Sequence, residues 1–373
     1  MGMRNVYVIA DNVFTPLGKT TAENFARLKQ NSTALKEYHN KSGQYFAALF
    51  EPTEFLIGSS GYTKFEQLMI VSVKDALDRS GISCTDDNTV LIISSTKGNI
   101  GLLETEALSP ALQERIGLSG SAKLVAKHFG FRDQPIVVSN ACVSGVVAVT
   151  TGMRLLRTGQ YEHAVIVGAD LISEFILSGF QSFQALSTQR CRPFDKNRDG
   201  LNLGEGAATI ILSTDKKHEG NVSVLGAGIS NDANHISGPS RTGQELANAI
   251  KVALKDAKLS AGEIDFISAH GTATPYNDEM EANAIALAGL ESVPLNSLKG
   301  YYGHTLGAAG LIESVISIQS LKEGLFLATP GFDEIGVSRP VNVIAQQMQV
   351  RAKSLIKTAS GFGGCNAAVV FGK

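Results

Sequence analysis

Short apolar runs rich in β-branched residues alternate with stretches of helical periodicity along this chain, and the alternation occurs twice. In the first half the strand-like runs are residues 5–10, 90–95, 136–138, 163–168 and 207–213. They are separated by helical patterns at 21–29, 64–79, 121–129 and from 143 to 156. In the second half, runs at 221–229, 264–269, 293–295, 354–360 and 367–371 alternate with helices at 243–257, 276–287 and 305–323. Runs that are apolar throughout, with no polar alternation, are strands covered on both faces. Strand–helix alternation of this kind predicts an α/β molecule with a mostly parallel sheet in each half and helices over it. Residues 31–60 read as irregular apart from a short strand near 45–49. Residues 171–203 read as one long, mostly irregular stretch, and loops of that length in a compact protein are usually functional.

Composition narrows the function classes. A chain of 373 residues is too long for one ordinary core. We divide it into an N-terminal half, 1–215, and a C-terminal half, 216–373. Charged residues make up 18%, hydrophobic residues 43%, and there are 38 glycines. That is a globular composition, neither disordered nor fibrous. Thirty-three basic and 35 acidic residues give a net charge of −2, which argues against a nucleic-acid or membrane-surface protein. The four cysteines, Cys84, Cys142, Cys191 and Cys365, are scattered and show no CxxC pairing. A metal site or a disulfide framework is therefore not expected, and a reducing cytoplasm fits. The first residues lack the basic stretch and apolar core of a secretory signal, and no run is long enough to span a bilayer.

Three positions carry the chemistry. In residues 134–156 a buried strand breaks at Ser139-Asn140 and a helix of small and apolar residues begins near Val143. Cys142 is thereby placed on the first turn of that helix, where the helix dipole and free N–H groups favour a thiolate and can hold an oxyanion. His270 ends the run 264–269, and His304 sits in GYYGHTLGAAG just before the next helix. Both occupy glycine-flanked corners, where α/β folds place reactive groups. Imidazoles there stay neutral and donate from Nε2. His218 and His235 read as loop or surface residues.

These positions lie in five ordered motifs: ACVSG around Cys142, RPFDKNRDGLNLGEGA at 192–207, HGTATPYNDEME at 270–281, KGYYGHTLGAAG at 299–310 and GFGGCN at 361–366. Together they resemble the β-ketoacyl-acyl carrier protein synthases of the elongating type, condensing enzymes of the thiolase superfamily. The resemblance implies a thiolase-like fold, two duplicated βαβ-type halves in a layered α-β-α-β-α core. It implies decarboxylative Claisen condensation of an acyl thioester with malonyl-acyl carrier protein, in fatty acid or polyketide/aryl-polyene-type biosynthesis.

Residue by residue, the resemblance makes Cys142 the acyl acceptor. His270 and His304 become the pair that promotes malonyl decarboxylation. Lys299 is the lysine before the second histidine, and Glu281 the acid that pairs with it. Asp278 is a supporting acid in the same motif, and Phe362 a gate whose N–H joins that of Cys142 in an oxyanion hole. Thr272 and Thr274 bond the pantetheine arm, while Leu201 and Leu103 line the acyl pocket. No cofactor is implied beyond the phosphopantetheine of acyl carrier protein that carries the substrates. The implied partners are that carrier and a second subunit, in a homodimer or in a heterodimer with a related ketosynthase-like chain. Lys64 is the residue expected to meet the acidic carrier. The alternatives are a non-catalytic subunit resembling a chain-length factor, or a degradative thiolase using Cys365 as its base. Intact Cys142 with both histidines weighs against the first, and the GFGG-x-N frame against the second. Lys97, where the family tends to have small residues, has no explanation in the sequence.

Overall fold

Ten principal strands are seen in the computed structural model, which describes residues 4–40, 43–51, 61–234 and 236–373. The first half supplies β1 (Tyr7–Phe14), β2 (Thr89–Ser94), β3 (Ile136–Val138), β4 (His163–Asp170) and β5 (Gly206–Ser213). The second supplies β6 (Ser223–Asn231), β7 (Ile267–Ser268), β8 (Pro294–Asn296), β9 (Ser354–Gly361) and β10 (Cys365–Gly372). Their order across the framework is 3-2-4-5-1-6-10-9-7-8, with a short strand, Asn342–Val343, outside β8. Counted outward from the central seam, each half runs first, fifth, fourth, second, third strand. The two halves therefore repeat one topology. At the seam β1 meets β6 only around Tyr7 and Ser223, where the Val8 N–H donates to Val222 O at 2.8 Å and Val224 N–H to Val6 O at 2.9 Å.

The sheets are less parallel than the alternation predicts. Strands β2, β3 and β4 run parallel, while β5 and β1 are antiparallel to their neighbours. The second half repeats this with β7, β8 and β9 against β10 and β6. The cause is visible between β9 and β10, which are joined by Phe362, Gly363 and Gly364 alone. A link that short can only reverse the chain. Gly363 and Gly364 take φ of +84° and +77°, a region that suits glycine.

Five helices complete the layers: α1 (Lys64–Ser80), α2 (Ser144–Arg157), α3 (Gln244–Ala257), α4 (Pro275–Leu287) and α5 (Ala309–Glu323). Strand side chains alternate between two cores. Ile92, Ile166 and Ile210 point inward onto Val146 and Val149 of α2 and Leu311 and Val315 of α5. Leu91, Ile93, Val165 and Ile211 point outward onto Phe65, Leu68 and Val73 of α1. In the second half Leu355, Val369 and Phe371 share the inner core, while Ile356, Ala368 and Val370 meet Leu246, Ile250 and Ile285 of α3 and α4. The result is α-β-α-β-α, with α2 and α5 between the sheets. That position explains why α5 is buried on every side along most of its length, from Ala309 to Ile318 and again at Ser320 and Leu321. The two central helices cross at glycine: a Cβ on Gly145 would lie 2.6 Å from Leu311 N, and one on Gly310 2.8 Å from Val146 Cγ2.

The stretch expected to be irregular, 171–203, contains a helix, Glu174–Ser182, whose N-cap Ser173 accepts from Ile176 N–H. The helix expected from 305 starts as a 3₁₀ turn, Leu306–Ala308, before α5. The strand expected near 45–49 is Gly43–Ala48, and it pairs with a second strand, Lys36–Asn40, in the stretch read as irregular. His235 lies outside the described residues. Among the described residues no helix is long and apolar enough to cross a membrane.

Candidate active site

Cys142 sits between the end of β3 and the start of α2. The turn is tight: Ala141 has φ +44°, and Ser144 Oγ accepts from Asn140 N–H at 2.8 Å while donating to Ala141 O at 2.6 Å. Val143 caps α2, so Cys142 lies just ahead of the helix, not within its first turn. The end of β9 presses against it, since a Cβ on Gly361 would stand 3.0 Å from Cys142 N. The Phe362 N–H bonds the Cys142 sulfur. The surroundings oppose the expected thiolate. Burial pushes the thiol up to about 12, and the opposing pull of Lys299 and the Phe362 N–H does not offset it.

The histidines come from the other half. His304, at 1% exposure, is fixed by its N–H donating to Asn202 O at 2.6 Å. Leu306 N–H donates to its Nδ1 at 3.2 Å. In a neutral ring that bond leaves the proton on Nε2, which is buried and has no partner. His270 lies edge-on to it, ring centroids 5.3 Å apart, with Lys299 Nζ 3.4 Å from its Nδ1. Burial holds both imidazoles well below their usual range, reinforced by Lys299 and, more weakly, Lys357. Both are neutral donors aimed through Nε2.

The expected Lys299–Glu281 pair does not form. Lys299 Nζ, fully buried, donates to Glu313 Oε1 on α5 at 2.7 Å and to His270 O at 2.6 Å. Glu281 instead accepts the N–H groups of His270 and Gly271 at 2.8 and 2.7 Å, and the Thr358 hydroxyl at 2.7 Å. It shapes the loop rather than neutralising the lysine. Asp278 does the same one turn earlier in α4, accepting from the N–H groups of Thr272, Ala273 and Phe194 at 2.9, 3.1 and 2.7 Å. Burial raises its carboxyl to about 6 despite the Phe194 N–H. Glu313 was missed, although an acid buried in the middle of a helix covered on every side must find a cation. Asp170, at the end of β4, was missed too. Its carboxylate accepts from Ser95 Oγ at 2.8 Å, Thr96 N–H at 3.1 Å and Gly307 N–H at 2.7 Å. It thereby ties the loop beyond His304 to the first half.

Cys142, His270, His304, Thr272, Thr274, Leu201 and Phe362 all line one cavity of ≈ 410 Å³. Thr272 and Thr274 share a hydroxyl hydrogen bond of 2.8 Å at its wall. Phe362 stacks on Phe180 and meets Phe183 edge-on, at centroid distances of 5.7 and 5.3 Å. Both partners come from the segment expected to be irregular. Leu103 does not line the cavity; it is 40% exposed on the turn Ile100–Glu104. Cys365 donates from Sγ to Asn140 Oδ1 at 2.7 Å and also does not line it. Lys64 is turned inward to Glu205 at 3.0 Å, so it is not a free docking cation. Lys97 has a place after all, its ammonium 5.8 Å from the Phe175 ring centre.

The repeated strand order, with a cysteine before the central helix of one half and imidazoles from the other, is that of the condensing enzymes of the thiolase superfamily. The model of the beta-ketoacyl synthase N-terminal domain matches residues 3–218, and that of the C-terminal domain matches 222–333. The chain belongs to the beta-ketoacyl synthase family. A 3-oxoacyl-[acyl-carrier-protein] synthase 2 of Vibrio harveyi is 28% identical over 412 residues, covering 100% of this chain and 99% of that protein. The ishigamide ketosynthase/chain length factor structure superposes with a TM-score of 0.91 at 26% identity, over 100% of both chains. A beta-ketoacyl synthase from Burkholderia phymatum gives 0.88 at 25%, again over 100% of both. The protein is accordingly an acyltransferase that joins an acyl thioester to malonyl-acyl carrier protein by decarboxylative condensation, in fatty acid or polyketide-type biosynthesis.

Proposed function

We propose that Cys142 is the acyl acceptor and that His270 and His304 stabilise the enolate formed from the malonyl unit. The observation that carries this is the meeting of one buried thiol and two neutral imidazoles, one with an unpartnered Nε2, in a single cavity. In the first step the Cys142 sulfur attacks the acyl carbonyl. The N–H groups of Cys142 and Phe362 receive the oxyanion, and the thiol proton ends on the departing pantetheine sulfur. In the second, a malonyl thioester loses carbon dioxide, and its enolate oxygen accepts from both Nε2–H groups. The enolate carbon then attacks the acyl group on Cys142 and expels the sulfur as thiolate, which takes one proton from solvent, the proton that the overall decarboxylative condensation consumes. Lys299 holds the His270 ring, Glu281 and Asp278 hold the loop, and Thr272 and Thr274 line the path of the pantetheine arm. Leu201 borders the acyl end.

Substrates arrive on the phosphopantetheine of acyl carrier protein, a partner that the name of the Vibrio relative includes. The second subunit is another copy or a related ketosynthase-like chain, as the ishigamide structure's name pairs a ketosynthase with a chain length factor. The free cysteines support a cytoplasmic setting. The division at residue 215 is supported by the repeated strand order.

The test separates the two steps. Cys142→Ala abolishes the covalent acyl-enzyme seen by mass spectrometry of the intact protein. His270→Ala and His304→Ala each slow carbon dioxide release from malonyl carrier protein by roughly 10²- to 10³-fold. Wild-type release in either histidine variant, or acylation without Cys142, removes the corresponding role.

A further inference from the structure

Lys357 is a fully buried lysine in the middle of β9, and nothing in the reaction above uses it. A lysine buried in a strand covered on both faces is costly unless its ammonium is fully paired. Its partners are specific. Nζ donates to Ser268 O at 3.2 Å and Ala269 O at 3.0 Å, and it lies 2.6 Å from Glu313 Oε2. The next two backbone groups, the N–H groups of His270 and Gly271, go to buried Glu281. His270 O goes to Lys299. Two carbonyls before the imidazole are thus held by a buried cation, two N–H groups at and after it by a buried anion, and Glu313 is shared between the two lysines.

We propose that Lys357 is a positioning residue for this reaction: it clamps the backbone that presents His270, and by sharing Glu313 with Lys299 it keeps the imidazole a neutral donor. The inference rests on the role given to His270 above. The charged and titratable groups around that ring are Lys299 beside it, His304 across the cavity, Glu313 on α5, Glu281 and Asp278 on α4, and Lys357 on β9. Without Lys357, Glu313 faces one ammonium instead of two, and the surplus negative charge favours imidazolium. His270 is then protonated at a higher pH. Below that higher pH the ring is imidazolium and the neutral donor is lost, so the acid limb of decarboxylation moves upward.

The test is the pH profile of carbon dioxide release from malonyl carrier protein by Lys357→Met and Lys357→Gln, with folding checked by near-UV circular dichroism. Methionine removes charge and donor together; glutamine keeps a donor for the carbonyls. Both variants are expected to shift the acid limb to higher pH. The methionine variant alone also loses on the order of 10²-fold in kcat, as expected for a displaced catalytic group, with KM for the carrier unchanged. A purely structural role would lower the folded fraction without moving the limb. An unmoved limb in whichever variant folds overturns the inference. His270→Ala, measured alongside, separates the failures: wild-type release there defeats the role of His270 itself, whereas unchanged Lys357 variants defeat only this clamp.

Discussion

At Cys142 burial favours the protonated thiol, so in the proposed reaction its nucleophilicity has to come from the encounter with substrate. The sulfur is buried beside Asp170 and Glu313, both of which oppose a thiolate, and Lys299 does not outweigh burial. Below its pKa a thiol gains thiolate tenfold per pH unit, so reagents that need only the thiolate report the pKa directly. Alkylation of Cys142 by iodoacetamide is expected to keep rising with pH up to about pH 11. An ordinary cysteine levels off soon after pH ~8.5. Peptide mapping of the modified residue across pH measures this, and a plateau near pH 8 would contradict it. Cys142, His270 and His304 could be singled out in the sequence because each sits in a short motif at the edge of a regular element, and the fold brings all three to one cavity. The pairing of Lys299 was not, because Glu281 and Glu313 are both buried acids on helices and only the packed layers decide which one meets the ammonium.

At the scale of elements, the site depends on how closely α2 and α5 approach. Cys142 precedes α2 and His304 precedes α5, so the crossing at Gly145 and Gly310 sets the separation of thiol and imidazole. Gly145→Ala puts a methyl where Leu311 N, Gly307 O and Gly310 C stand. Overpacking of this kind costs about 1–3 kcal/mol, so a lower denaturation midpoint is expected together with slower condensation. Full activity at wild-type stability would show that the crossing has slack. Most helices and strands were readable from periodicity because buried strands and amphipathic helices carry distinct repeats. The helix Glu174–Ser182 was not. It is only nine residues long, its buried side chains are Ile176 and Leu177, and Phe175 is 58% exposed, so the apolar repeat spans too few turns to stand out. The antiparallel strands were missed for a different reason: strand direction is set by connections, not by side-chain pattern.

For the whole molecule, β3 is the outermost strand of the first half, paired only with β2, and its three apolar residues remain half-buried. A bare apolar edge invites a neighbouring strand. Light scattering at micromolar concentration is expected to give twice the mass of one chain, and a single-chain mass would count against the dimer. The other end of the architecture has a quieter effect. Residues from both sheets enter one inner core around α2 and α5, while the seam itself is a single strand contact. What joins the halves is therefore packing, not the hydrogen-bonded ladder. A hybrid assembled from two relatives, with its junction between β5 and β6, would keep every backbone pairing and still inherit mismatched glycines and methyls across the crossing. An exchange confined to loops outside that crossing leaves it intact, whereas an exchange of whole halves does not.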